Sequence, residues 1–107
     1  MALEVLNVSL ELIQSLRLHL PGIRSRDARL HDQIRSAASS IALNISEGER
    51  RTGRDRIHLW RVAAGSAAEV RTALRVAEAW GDIESGKNHR SLELLDRVIA
   101  MLWKMTH

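Results

Sequence analysis

Two glutamates and one Asp–His pair are the residues whose types and spacing come nearest to a metal or acid–base site. Glu47 and Glu69 border the core-facing sides of two predicted helices, where paired carboxylates can bind a metal or exchange protons. Asp27 and His31 are four residues apart and therefore share one face of a helix. The Glu-x-x-His pairs of carboxylate-bridged metal bundles do not occur. We therefore predict no catalytic residues, no metal and no cofactor.

The same polar residues have a simpler structural role in a helical bundle, and we favour that interpretation. Asn44 and Ser66 lie where hydrogen bonds would fix the register of two packed helices. Glu47 lies one helical turn before Arg51 and is expected to pair with it. Small residues around these positions, Gly48 among them, would let two helix backbones approach closely.

Arginine residues supply the main signal for binding. Fourteen of the 16 basic residues are Arg, whose planar guanidinium suits phosphate recognition. In an up-and-down bundle, the turn between the second and third helices would bring together Arg50, Arg51, Arg54 and Arg56. We expect the three Trp to be structural and no Tyr or Phe is present, so phosphate-backbone contact with RNA or DNA is the expected mode. The alternative is that these arginines only keep the turn soluble.

Composition and the N-terminal segment exclude several other classes of protein. The chain of 107 residues supports one domain, which we place over residues 1–107. It has no Cys, which excludes disulfides and thiolate metal sites. The N-terminal segment has no basic region, and Glu11 interrupts its apolar run, so neither a signal peptide nor a membrane span is predicted. We expect a cytoplasmic protein with no membrane partner.

Four predicted helices position these residues. Apolar residues recur at helical spacing and no alternating strand pattern occurs, so the fold class is all-α. The first helix covers residues 2–20 and ends at the Leu-Pro-Gly of residues 20–22. The second starts at a cap supplied by Ser25 or Asp27 and ends near Glu49, and the third runs from a capping box at 52–55 to Gly81. The fourth covers about 88–105, which completes an up-and-down four-helix bundle.

Apolar residues cover more of these helices than one core requires. In the second helix Leu43 points away from the core face, and in the third Trp60 lies about a quarter-turn from the face of Leu59, Val70 and Leu74. We therefore expect the bundle to assemble with copies of itself, with Leu43 and Trp60 at the interface between subunits. A different protein partner for these surfaces stays open, as does a dimer in place of a ring.

Two motifs at a characteristic separation resemble the bacterial four-helix-bundle proteins of the ribosomal-RNA intervening-sequence type. That family pairs an R-A-A-x-S-I-x-x-N-I-x-E-G segment with a later I-A-x-G-S-x-x-E segment. Here these are Arg35–Gly48, in which Ser36 replaces the first small residue, and Val62–Glu69. The matching region starts at Arg35, and the C-terminal LELLDRVIAMLWKM also resembles the leucine-rich end of the family. The first helix departs from the pattern because it lacks the usual Trp and Tyr, and Leu-Pro-Gly replaces Phe-Pro before the second helix.

The resemblance implies an up-and-down four-helix bundle, and its relatives include barrel-shaped homopentamers. A homo-oligomeric ring, pentameric as in those relatives, is therefore the assembly that the resemblance implies. One related branch comprises accessory proteins of diversity-generating retroelements, which bind nucleic acid and a reverse transcriptase through a basic surface. Members encoded inside intervening sequences of large ribosomal RNA have no established activity.

Overall fold

Five α-helices and no strand make up the computed structural model, which describes all 107 residues. The helices are α1 (Ala2–Leu16), α2 (Leu20–Arg26), α3 (Ala28–Glu49), α4 (Gly53–Trp80) and α5 (His89–Thr106). Helix α3 packs against α1 and α4, and α5 packs against α4 and α1, in a bundle measuring 42 × 22 × 19 Å. The prediction of an all-helical bundle is confirmed. The predicted count of four helices is wrong, because α2 is an additional short helix.

Helix α2 forms where the Leu-Pro-Gly segment was predicted to end the first helix. Helix α1 ends earlier, at Leu16, and Pro21 lies in the first turn of α2. Proline is tolerated there because the first N–H groups of a helix have no intrahelical partner. Ile23 is fully buried, so α2 closes one end of the core. Seven residues are too few to show a helical apolar period, which is why the sequence pattern missed this helix.

The predicted boundaries of the other helices agree closely with the structure. Asp27 caps α3, since its carboxylate accepts a hydrogen bond of 3.0 Å from the Leu30 N–H. Gly81 ends α4 in the left-handed conformation, with φ of 83°, which only glycine adopts without strain. Thr52 precedes α4 as expected, but its hydroxyl makes no capping hydrogen bond, so the predicted capping box is not formed.

One cluster of 23 buried apolar residues forms the core. Helix α4 contributes a face that passes through Trp60, Ala63, Ala67, Val70 and Leu74. The side chain of Trp60 is only 8% exposed, so the prediction that it lies off the core face, at an interface between subunits, is wrong. The helical spacing predicted that Leu59, in place of Trp60, lies on the core face. In the structure Leu59 is only half-buried.

The indole of Trp60 occupies the space that Gly48 leaves on α3. A Cβ at Gly48 would lie 2.5 Å from Nε1 and 2.6 Å from Cδ1 of Trp60. The indole N–H donates to the carbonyl oxygen of Ile45 at 3.2 Å, so its polar atom is satisfied inside the core. Gly48 is therefore the residue that lets α4 bury a large aromatic ring against α3.

We expect Gly48→Ala to lower the free energy of unfolding by about 1–3 kcal/mol, because the added methyl group overlaps the indole and forces α3 and α4 apart. Urea denaturation followed by circular dichroism measures this change. Gly65→Ala is the matched control, since no atom lies within 4 Å of a Cβ at that helical position. The control should raise stability by about 0.5–1 kcal/mol through helix propensity. Equal stability of the two variants would contradict the packing argument.

Candidate nucleic-acid interface

The turn between α3 and α4 presents the four arginines that the sequence singled out. Arg50, Arg51 and Arg54 are exposed and Arg56 is half-buried. The structure gives them different partners: Arg56 contacts backbone carbonyls, Arg51 pairs with a carboxylate, and Arg50 and Arg54 have neither kind of partner.

Arg56 is engaged with the end of α3. Its Nε donates to the carbonyl oxygen of Gly48 and its Nη2 to that of Glu49, each at 3.1 Å. The Gly48 carbonyl also accepts from the Arg51 N–H at 3.0 Å, whereas Arg56 supplies the donor for the Glu49 carbonyl at the end of the helix, where intrahelical donors are lacking. The guanidinium carbon also lies 5.3 Å from the ring centroid of Trp60, within the range of a cation–π contact. We therefore assign Arg56 a structural role and leave it out of the candidate interface.

Arg51 forms the ion pair that the sequence predicted with Glu47. Its Nη2 lies 2.7 Å from Oε1 of Glu47. The hydrogen bond from Arg51, reinforced by its charge, lowers the pKa of Glu47, and the same contact raises the pKa of Arg51. Both groups are well exposed, so the pair contributes little to stability. A phosphate would have to compete with this carboxylate for Arg51.

Glu47 and Glu69 do not form a carboxylate pair. The hydroxyl of Ser66 donates to that of Ser40 at 2.9 Å, which sets the register between α4 and α3. In that register the two glutamates are separated by about ten residues, or roughly 15 Å along the bundle. No group of three or more His, Cys, Asp or Glu side chains lies close enough together to hold a metal ion.

Asn44 supports the register bond indirectly. Its Nδ2 donates to the carbonyl oxygen of Ser40 at 2.8 Å and lies 3.0 Å from the Ser40 hydroxyl. The Asn44 side chain therefore stays within α3 and orients the serine that contacts Ser66. Ser40 therefore connects Asn44 and Ser66, the two residues that were predicted to fix the register of the helices.

Arg50 and Arg54 have no carboxylate oxygen within 4 Å. Arg54 lines a surface depression of about 700 Å³ together with His58 and Arg61. Arg61 also donates to the carbonyl oxygen of Thr106 at 3.3 Å, so the C-terminal turn of α5 lies beside it. The basic side chains near the α3–α4 turn therefore continue along α4 beyond the turn itself.

Sequence reasoning did not include His58 and Arg61 in the basic patch. Positions 54, 58 and 61 follow the i, i+4, i+7 spacing that puts side chains on one face of a helix. This spacing could have identified the longer basic face from the sequence. The predicted patch was limited to the charges around the turn and did not extend along the helix.

Several large apolar side chains remain exposed outside this basic region. They are Met1, Leu3, Leu10, Leu18, Leu43, Val62, Val76, Trp80 and Trp103. Leu43 is 68% exposed, as the sequence predicted for a residue pointing away from the core. The exposure of Trp80 and Trp103 corrects the expectation that all three Trp are structural. None of the five helices combines the length and the apolar character needed to cross a bilayer.

Comparison with solved structures supports the same fold. A crystal structure of a protein of unknown function from the S23 ribosomal protein family of Bacteroides thetaiotaomicron VPI-5482 has a TM-score of 0.84 to this chain. The two sequences are 21% identical, and the match covers 95% of this chain and 97% of the other. No curated protein matches the sequence.

The family model for the 23S rRNA-intervening sequence protein matches residues 2–104. The match contains both motifs that carried the sequence resemblance, Arg35–Gly48 and Val62–Glu69. Since it extends over nearly the whole chain, this protein belongs to the 23S rRNA-intervening sequence protein family.

Proposed function

We propose that this protein is a non-enzymatic, homo-oligomeric helical protein that binds the phosphate backbone of RNA or DNA through its arginine-rich end. The observation that carries the proposal is the exposed face of Arg54, His58 and Arg61 on α4. Arg50, in the preceding turn, is also exposed, and it lines a separate depression with residues of α1 and α3. Arg50 and Arg54 have no carboxylate partner, so a phosphate can contact them without first displacing one.

Sequence-independent binding is the mode that these side chains support. Arginines that contact phosphates release condensed counterions, which makes the affinity strongly dependent on salt and weakly dependent on base sequence. The ring of Trp60 is buried and cannot stack on a base. Trp103 is exposed, but its ring stacks on His107 with centroids 3.4 Å apart. Trp80 is exposed but lies 26 residues after Arg54 on α4, or roughly 39 Å away along the helix. Backbone contact therefore dominates over base stacking at the arginine-rich end.

RNA is the first nucleic acid to test, because the description of the family refers to 23S rRNA. The cytoplasm is the compartment in which we expect the protein to meet it. Self-association would strengthen the binding, since each added subunit repeats the same basic face and raises the local field. A ring of subunits, such as the pentamers that the resemblance implies, would repeat the basic face of each subunit around one edge of the ring.

We expect the double variant Arg50→Gln/Arg54→Gln to bind a structured RNA about tenfold more weakly or worse, because two phosphate contacts are lost. Fluorescence anisotropy across a salt series measures the affinity, and the slope of log K against log salt should become shallower by about one to two. Arg56 is kept in this variant, since it holds the end of α3.

The matched control is Arg75→Gln/Arg97→Gln, which removes the same charge from two exposed arginines that also have no carboxylate partner. We expect it to retain most of the affinity. An equal loss in both double variants would mean that only net charge matters, and the proposed interface would then be wrong.

The alternative function is a protein-interaction scaffold with no nucleic-acid role. Exposed apolar residues favour it: Leu3 is 70% and Leu10 is 45% exposed on one face of α1, and Leu43 is 68% exposed on α3. Exposed apolar surface of this extent is typical of contacts with another protein or with further copies of the same chain. The scaffold reading predicts assembly without any affinity for RNA.

We expect Leu43→Glu to shift the assembled protein toward the monomer while leaving its helix content unchanged, because a charge cannot be buried unpaired at an interface. Light scattering coupled to size-exclusion chromatography measures the mass. Ala100→Glu introduces the same charge at an exposed position of α5 and is expected to leave the mass unchanged. An assembly that tolerates Leu43→Glu would remove Leu43 from the interface.

A further inference from the structure

A second basic region lies at the other end of the bundle, where the turn after α1, α2 and the first part of α3 border an open surface depression of about 710 Å³, called the cleft below. Its polar lining consists of Arg17, Arg24, Ser25, His31 and Arg35. Along α3, Arg35 lies 15 residues from Arg50, or roughly 22 Å. The cleft is therefore separate from the interface proposed above, and the inference that follows does not depend on that proposal.

Three arginines line this cleft, one from the turn after α1, one from α2 and one from α3. Arg17 directly follows α1, Arg24 belongs to α2 and Arg35 belongs to α3. None of them has a carboxylate oxygen within 4 Å, and no Asp or Glu lines the cleft. Like charges gathered around a concave surface repel one another, and a bound anion would relieve that repulsion.

The two carboxylates at the start of α3 are engaged elsewhere. Asp27 accepts a hydrogen bond from the Leu30 N–H and caps the helix. Asp32 lies 2.9 Å from Nδ1 of His31. This contact directs the Asp32 carboxylate toward the His31 imidazole. Neither carboxylate neutralises the three arginines of the cleft.

Helix α2 holds its wall of the cleft in a defined position. Ile23 is fully buried in the core, which anchors the helix between Leu20 and Arg26. Ser25 donates from its hydroxyl to the carbonyl oxygen of Gly22 at 2.8 Å. Arg24 therefore projects from a backbone that packing already positions, so little ordering of that backbone is needed to bind a ligand.

We propose that this cleft binds a pyrophosphate-type group, with Arg17, Arg24 and Arg35 contacting the phosphate oxygens. Guanidinium groups bind phosphate oxygens in a bidentate geometry, and a pyrophosphate carries enough charge and oxygen atoms to engage three of them. His31 lies at the margin as a further hydrogen-bonding group. Such a group is carried by a free nucleoside diphosphate or by the phosphorylated 5′ end of a nucleic acid.

Titration of the full-length protein with inorganic pyrophosphate tests this proposal. Calorimetry should give saturable binding, and amide chemical-shift changes should concentrate on residues 17–35. Arg24→Gln and Arg35→Gln, on two different helices, should each weaken pyrophosphate binding about tenfold, since each removes one charge-assisted contact. Arg97→Gln, an exposed arginine without a carboxylate partner, should leave the affinity unchanged.

Absence of saturable binding, shifts centred on the α3–α4 turn, or an equal loss in Arg97→Gln would each overturn the proposal. The variant Arg50→Gln/Arg54→Gln should keep its pyrophosphate affinity, so a failure of the RNA interface and a failure of the cleft give different results. Competition then identifies the source of the group. Displacement of pyrophosphate by ADP supports a nucleotide ligand, and displacement by a 5′-diphosphorylated but not a 5′-hydroxyl oligonucleotide supports a nucleic-acid end.

Discussion

The contact between α3 and α4 depends on glycine at position 48, which has no side chain to occupy the space between the two helices. A large indole fills that space and finds a hydrogen-bond acceptor in the carbonyl of Ile45. Arg56 then covers the ring and satisfies the carbonyls at the end of α3. Because the packing and the helix end are fixed by the same group of residues, the turn that follows is held in place. The exposed arginines are presented from a rigid corner of the bundle.

Arginine has two distinct uses in this molecule, and the structure separates them by the partners that each side chain has. Arg56 donates to backbone carbonyls, and Arg51 is paired with Glu47. Arg54 and the arginines of the cleft formed by α1, α2 and α3 have no carboxylate partner. The overall formal charge of +3 conceals this division, since acidic groups elsewhere balance most of the basic ones. The proposed nucleic-acid interface and the proposed pyrophosphate site therefore depend on the charge at each site and not on the net charge of the protein.

Local sequence signals predicted the long helices, because each signal acts within one or two turns. Asp27 as a cap, Gly81 as a terminator and the Glu47–Arg51 pair all involve neighbours in the sequence. Trp60 was misplaced because its position is decided by a gap on another helix, which no helical wheel contains. The cleft could not be predicted from helical spacing either, since Arg17, Arg24 and Arg35 come from a turn and two different helices. Helix α2 was missed because a proline in a first turn resembles a proline that ends a helix.

Arg56 also makes the corner between α3 and α4 strongly epistatic. Any larger residue at Gly48 meets the indole, a smaller residue at Trp60 leaves a void beneath the guanidinium, and loss of Arg56 exposes both the ring and the last carbonyls of α3. Effects of substitutions in such contacting groups do not add. Neutral drift at this corner should therefore proceed through joint replacement of all three residues, whereas substitutions at the exposed Arg50 and Arg54 should alter the surface charge without disturbing this packing.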